Sequence, residues 1–145
     1  VSTLREAFEA GAVIFGENKV QEAEGKINEI ENAEWHLIGH LQSNKARKAV
    51  KFFDVIQTVD SIELAERLER ICQEEGRAEL KIFIQVDLGG EETKSGVPKD
   101  KLPKMLEIVS NCKCLKLIGL MQIPPYFEDV EKVRPYFRQL REIRD

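Results

Sequence analysis

Long apolar runs are missing from this sequence of 145 residues. No stretch approaches the roughly 18 consecutive apolar residues that a membrane-spanning helix requires. The N-terminal stretch carries charges at Arg5 and Glu6 and has no apolar region of the signal-peptide type. We therefore expect no membrane partner, and a cytoplasmic location is the expectation.

Cysteine is also scarce, with three residues in the chain, Cys72, Cys112 and Cys114. An odd number in a sequence without an export signal argues against a disulfide framework. Cys112 and Cys114 resemble half a metal site, but zinc needs four ligands, or three and a water. No second Cys or His pair has matching spacing, so we expect buried thiols that pack as small apolar groups and no metal.

An excess of positive charge is absent as well. Lys and Arg number 22 against 26 Asp and Glu, giving a formal net charge of -4. The charges are interspersed, so a nucleic-acid partner is not expected. The sequence contains no Gly-x-Gly-x-x-Gly, Walker or Gly-x-Ser-x-Gly motif. No pair of carboxylates is fixed by its spacing, so acid/base hydrolysis is not predicted.

What the sequence does contain is an alternation of short apolar runs with longer amphipathic stretches. The runs are apolar on nearly every residue, which is typical of strands buried on both faces, as in parallel sheets covered by helices. The predicted strands are residues 12–15, 35–41, 55–59, 80–86 and 115–121.

Helices are predicted before the first strand and after every strand. Gly11 and Gly76 follow predicted helix ends, Pro98 fits a first helical turn, and Pro135 marks where the last helix properly begins. Four polar side chains are interpreted as N-caps: Ser2, Ser43, Asp60 and Ser61.

The resulting order, one helix followed by five strand–helix units, predicts an α/β fold with a parallel sheet. Two architectures share this pattern, the (β/α) barrel of eight strands and the open doubly wound sheet. The periodicity does not separate them. No linker or shift of composition interrupts residues 1–145, so the sequence predicts one domain.

Functional residues in parallel α/β folds gather where strands end. Asn18 follows the first predicted strand, where its amide either caps a helix or holds a ligand's hydroxyl or ring substituent. His36 and His40 are predicted on one side of one strand, and ordinary hydrogen-bonded histidines are favoured because no third metal ligand is placed nearby. Lys94 lies in a loop after a strand, where a solvated lysine is favoured over a Schiff base.

Several motifs together are similar to those of the pyridoxal phosphate homeostasis protein family. The longest begins Trp35-His36-Leu37-Ile38-Gly39 and runs to Lys45. The others, in the same order as in the family, are Phe15–Glu22, Thr58–Ser61, Lys94–Gly96, Gly119–Pro125 and Phe137–Arg141. The chain resembles this family along essentially its whole length.

The resemblance implies a parallel TIM-type barrel like the N-terminal domain of alanine racemase, with about five of its eight strand–helix units in residues 1–145. It also implies pyridoxal 5′-phosphate (PLP) as cofactor, with a carrier or regulator role in vitamin B6 homeostasis and no firmly assigned reaction. Carried over residue by residue, it places Asn18 near the cofactor and His36 and Met121 at strand ends of the barrel mouth.

In the family, the lysine that binds PLP lies on a strand before residue 1, and phosphate-binding segments lie after residue 145. We therefore expect this chain to supply pocket wall without the anchoring amine. The resemblance also implies PLP-requiring apo-enzymes as partners. Two alternatives stay open: a PLP-dependent enzyme of the amino-acid racemase type, which needs a second acid/base group, and a structural or interaction role for this piece alone.

Overall fold

The computed structural model describes residues 2–89 and 96–145. Within those ranges the helices are α1 (Ser2–Glu9), α2 (Val20–Ile27), α3 (Ala46–Phe52), α4 (Ile62–Glu75), α5 (Leu102–Ser110) and α6 (Arg134–Arg144). The strands are β1 (Ile14–Glu17), β2 (Glu34–Leu37), β3 (Val55–Val59), β4 (Leu80–Asp87), β5 (Val97–Pro98) and β6 (Leu115–Met121). Short 3-10 helices cover Ser43–Lys45, Lys99–Lys101 and Val130–Val133.

All strand pairings in the described sheet are parallel. The main order is β1-β2-β3-β4, with β6 on β4, and the two-residue β5 pairs with the carboxyl end of β4. Each principal strand reaches its parallel neighbour through a crossover that contains a helix, as parallel pairing requires. The predicted alternation and parallel pairing are confirmed, and β5 is an addition that the sequence pattern did not indicate.

The two faces of the sheet differ in chemistry because strand side chains alternate between them. One face carries the main apolar core, in which Trp35 and Leu37 of β2 lie with Leu68 of α4. The other face carries polar groups such as His36 and Gln57, which hydrogen-bond each other. Along the described strands, the helix-covered face therefore supplies most of the apolar burial, and the opposite face combines these polar groups with buried Val55, which pairs in register with His36.

Two strands match their predicted bounds and two do not. β3 and β6 begin and end where predicted, whereas β1 lies two residues later than predicted. β2 ends at Leu37, four residues before the end predicted for it. The extension was wrong because the chain turns beyond Ile38, whose N–H donates to the Glu17 carbonyl at 2.9 Å.

The cap predictions have mixed outcomes. Ser61 caps α4, accepting the Leu64 N–H at 3.1 Å, as predicted, whereas the same prediction for Asp60 was wrong. Gly76 ends α4 with φ +71°, as predicted. Pro98 lies in β5 and not in a helix, because its segment extends alongside the end of β4.

Three further helix ends can be compared with the sequence. Pro135 lies in the first turn of α6, as predicted. Ser2 is the first residue of α1 and Ser43 the first residue of a 3-10 helix, so neither is the N-cap predicted for it. Lys94 lies outside the described residues.

No helix within residues 2–89 and 96–145 has the length and apolar character needed to cross a membrane. The three cysteines are unpaired, and two of them, Cys72 and Cys114, are buried. Burial, together with the neighbouring Cys114, raises the pKa of Cys72 to about 11. Since the thiolate is the reactive form of cysteine, Cys72 is an inert packing group.

The amino end of β6 is fixed by one carboxylate on α4. Glu69 accepts the N–H of Lys113 at 2.8 Å, that of Cys114 at 3.0 Å and that of Leu115 at 3.1 Å. Burial raises the pKa of Glu69, but hydrogen bonds from Gln73 and these three backbone groups outweigh burial and lower it overall. The ionised carboxylate thus holds the strand to the helix.

We expect Glu69→Gln to lower the free energy of unfolding by about 1 kcal/mol at neutral pH, because hydrogen bonds to a charged acceptor are weakened. A carboxyl with a lowered folded pKa stabilises the fold above its unfolded pKa of about 4.3 and loses that contribution as pH falls through the folded value. The difference between wild type and variant should therefore shrink below about pH 4. Urea unfolding at several pH values measures this difference in stability.

Glu66→Gln, exposed on the same helix, is the matched control, and equal effects for both variants would contradict the role of Glu69.

Candidate functional site at the carboxyl rim of the sheet

An open cavity of ≈ 210 Å³ lies at the rim where the parallel strands end. We call it the mouth cavity. Its lining residues come from the segments that follow β1, β2 and β6 and from β3 and β4: Asn18, Ile38, Gly39, His40, Thr58, Gln85 and Ile123. This is the position where functional sites of parallel (β/α) folds are found.

Asn18 reaches the mouth cavity because the chain after β1 lies against the turn after β2. A Cβ on Gly39 would lie 2.1 Å from the Asn18 carbonyl oxygen, so only glycine permits this approach. The helix cap is Lys19, and Asn18 itself is exposed. Its side chain makes no hydrogen bond within the described part of the chain, which leaves the amide available for a ligand.

A side chain of β3 holds the same turn from the other side. The Thr58 hydroxyl donates to the Gly39 carbonyl at 2.8 Å, near the irregular register of β3 between Ile56 and Val59. Next to it, His40 Nδ1 lies 3.5 Å from Asp60 Oδ2. The Asp60 side chain is 13% exposed and that of His40 is 60% exposed, so a largely buried carboxylate orients an accessible imidazole.

His36 lies deeper in the sheet than the mouth cavity and does not line it. Its Nε2 is 2.7 Å from Glu34 Oε1, and its Nδ1 is 2.8 Å from the Gln57 amide nitrogen. Because that nitrogen only donates, Nδ1 accepts and Nε2 carries the proton that goes to Glu34. The imidazole is thus held from both sides and in turn holds the Gln57 amide.

The prediction that His36 and His40 share one strand was wrong, because β2 ends at Leu37 and His40 lies in the turn beyond it. The two rings have different carboxylate partners, Glu34 and Asp60. Each histidine therefore belongs to a separate polar contact.

Met121 ends β6, half-buried, and pairs in register with Gln85 of β4. Gln85 lines the mouth cavity, so Met121 adjoins the cavity through its strand neighbour. The next residue, Gln122, has a buried amide nitrogen with no partner in the described structure. Of the three residues predicted from the sequence, Asn18 lines the cavity, Met121 adjoins it and His36 lies below it.

Gln85 is the lining residue that sequence reasoning missed. It is 3% exposed in a largely apolar strand, and the apolar pattern of that strand predicts only core residues. The sequence signal that could have indicated Gln85 is a single amide among Val, Ile and Phe, since a buried polar group in a strand needs a partner.

Comparison with known proteins decides the family. A family model described as alanine racemase, N-terminal domain, matches residues 1–145. The chain belongs to this family. The five principal strands are accordingly part of a parallel TIM-type barrel, and the predicted resemblance to the pyridoxal phosphate homeostasis proteins is confirmed by relatives that carry that name.

This member of the alanine racemase N-terminal domain family is shorter than the relatives it matches. The pyridoxal phosphate homeostasis protein of Aquifex aeolicus is 39% identical over 144 residues, which are 98% of this chain and 63% of the relative. The structure of PipY of Synechococcus elongatus with PLP bound is 40% identical with a TM-score of 0.88, covering 99% of this chain and 67% of that chain. Alanine racemase of Clostridium difficile is 12% identical with a TM-score of 0.78, covering 98% of this chain and 38% of the racemase. The racemase match shows the shared fold alone.

Proposed function

We propose that this chain forms part of the wall of a PLP site, and that the protein containing it takes part in intracellular vitamin B6 homeostasis as a carrier or regulator of the cofactor. The observation that carries the proposal is the similarity to PipY with PLP bound, which extends over 99% of this chain at a TM-score of 0.88. The names of the curated relatives support the same role.

The chemistry of the mouth cavity fits a small heteroaromatic cofactor. Ile38 and Ile123 offer apolar surface to the faces of a ring, and Thr58 and Gln85 offer hydrogen-bonding groups to its substituents. The unpartnered amide nitrogen of Gln122, next to Met121, is a further donor at this rim. Ligand sites commonly combine apolar walls with a few polar groups in this way.

Three residues are proposed to serve the cofactor in different ways. Asn18 donates or accepts a hydrogen bond at the rim, and Met121 packs beside Gln85 with its flexible, polarisable side chain. His36 lies below the mouth cavity, where its Nδ1 accepts a hydrogen bond from the Gln57 amide at 2.8 Å and so fixes the orientation of that side chain. When bound, PLP would supply an aldehyde that condenses with amines and a ring that accepts electrons.

An amino-acid racemase-type enzyme is the second candidate. Racemisation needs two groups that move protons on opposite sides of the reacting carbon. His40, oriented by Asp60 at 3.5 Å, is a proton-moving group at the rim and is the observation that favours this reading. Assays with D- and L-alanine on the PLP-loaded full-length protein separate the two. The carrier proposal expects no sustained racemisation and delivery of PLP to an apo-enzyme, whereas turnover would favour the enzyme.

Asn18→Ala in the same full-length protein is expected to weaken PLP retention by about tenfold, equivalent to about 1.4 kcal/mol and typical of one lost hydrogen bond. Dialysis against buffer, followed by absorbance of the retained cofactor, measures the change. Asn111→Ala, at the end of α5 and outside the mouth cavity, is the matched control. Equal retention by the two variants would remove Asn18 from the proposed site.

A further inference from the structure

A second cavity, of ≈ 480 Å³, adjoins the mouth cavity. It is lined by residues 18–21, 39–42 and 45, and we call it the lysine cavity. Asn18, Gly39 and His40 form the boundary that the two cavities share. The remaining lining comes from the start of α2, from Leu41 and Gln42 and from Lys45 of the 3-10 helix before α3, so most of this space lies beyond the mouth cavity.

The lining of the lysine cavity carries positive charge that the described residues balance only in part. It includes Lys19 and Lys45 and no Asp or Glu. Among the described residues, Lys19 pairs with the Glu22 carboxylate, at 4.0 Å. Lys45 is half-buried and forms no ion pair with residues 2–89 or 96–145. A partly desolvated ammonium is costly unless a counter-charge accompanies it.

The backbone adds to this positive character. Val20 and Gln21, the first residues of α2, line the cavity, and no side chain at the Lys19 cap satisfies their N–H groups. Unsatisfied N–H groups at the start of a helix carry partial positive charge and favour anions. Asn18, Gln21 and Gln42 supply side-chain amides around the same space, and amides donate readily to oxyanions.

We propose that the lysine cavity is a binding site for a small phosphate-bearing anion next to the mouth of the barrel. Two ammonium groups, helix N–H groups and amide donors suit the two charges and several oxygens of a phosphate monoester better than the single charge of a carboxylate. The resemblance places the phosphate-binding segments of the family beyond residue 145, so the residues that line this cavity do not belong to those segments. It stands independently of the carrier function proposed above.

Inorganic phosphate is the probe that tests this site. Amide NMR of the labelled full-length protein, loaded with PLP, is recorded during a phosphate titration and during a chloride titration at equal ionic strength. We expect saturable shifts with phosphate at the amides of Val20–Glu22 and of Gln42–Lys45, and smaller unsaturable shifts with chloride. Lys19→Gln combined with Lys45→Gln should weaken phosphate binding at least tenfold.

Lys104→Gln, which removes a lysine paired with Glu107 on α5, is the matched control and should leave phosphate binding unchanged. If the double variant does not fold, Lys45→Gln and Lys45→Arg replace it, and only Lys45→Arg should retain binding. Equal responses to phosphate and chloride, unchanged affinity in the lysine variants, or shifts centred elsewhere in the chain would each overturn the proposal.

Discussion

Replacing Arg77 with methionine is expected to lower the free energy of unfolding by about 2–4 kcal/mol, since a charged donor satisfies two part-buried carbonyls and a third that is exposed. The guanidinium donates to the carbonyls of Val50 and Phe53 at the end of α3, the latter at 2.8 Å. Its Nε donates to the Glu79 carbonyl at 3.0 Å. Methionine keeps most of the apolar stem but leaves these acceptors without their donor.

The position of Arg77 explains why the effect should be large. The last carbonyls of a helix lack partners inside the helix, and here one side chain serves the end of α3 and also the approach to β4. Urea unfolding monitored by circular dichroism measures the loss. Arg67→Met, on the exposed face of α4, is the control and should change stability by less than about 0.5 kcal/mol. Equal losses for the two variants would contradict the bridging role of Arg77.

Replacing Gly39 with alanine is expected to cost about 1–3 kcal/mol and to open the rim of the site, because overpacking forces the backbone to move. The new methyl group would lie 2.1 Å from the Asn18 carbonyl oxygen, and a backbone atom cannot rotate away as the end of a side chain can. Displacing Asn18 would change both the mouth cavity and the lysine cavity, since it lines each of them.

Gly25→Ala provides the matched control for Gly39→Ala. Gly25 lies inside α2, and nothing lies within 4 Å of where its Cβ would be. Alanine there should raise stability by about 0.5–1 kcal/mol, because glycine is a poor helix former. Urea unfolding of both variants measures the contrast. The steric account of the rim would be wrong if Gly39→Ala were as stable as wild type.

Secondary structure was predictable from the sequence where apolar residues continue to the ends of an element and a breaker follows. β3 and β6 are such strands, and Ser61 and Gly76 mark the ends of α4 by local chemistry alone. β2 was predicted too long because Ile38, Gly39 and Leu41 continue the apolar pattern. The contact that turns the chain there involves Asn18, which is distant in sequence, so no local pattern indicates it.

The candidate site was predictable in part for the same reason. Asn18 was found because a polar residue at a strand–helix junction is visible in the sequence. Gln85 was missed because its position at the rim depends on the register with Met121. The convergence of Lys19 and Lys45 on one cavity depends on how the segments after β1 and β2 pack together, which spacing does not reveal.

Mapping PLP onto the labelled full-length protein by amide NMR tests the central claim most directly. Beyond the changes that inorganic phosphate alone produces, PLP should shift the amides of the mouth cavity and its neighbour, namely Asn18, Gly39, Gln85 and Met121. Those changes should be smaller in Asn18→Ala and unaltered in Asn111→Ala. Changes confined to scattered surface lysines, with the mouth cavity unaffected, would contradict the claim that this rim forms the wall of a PLP site.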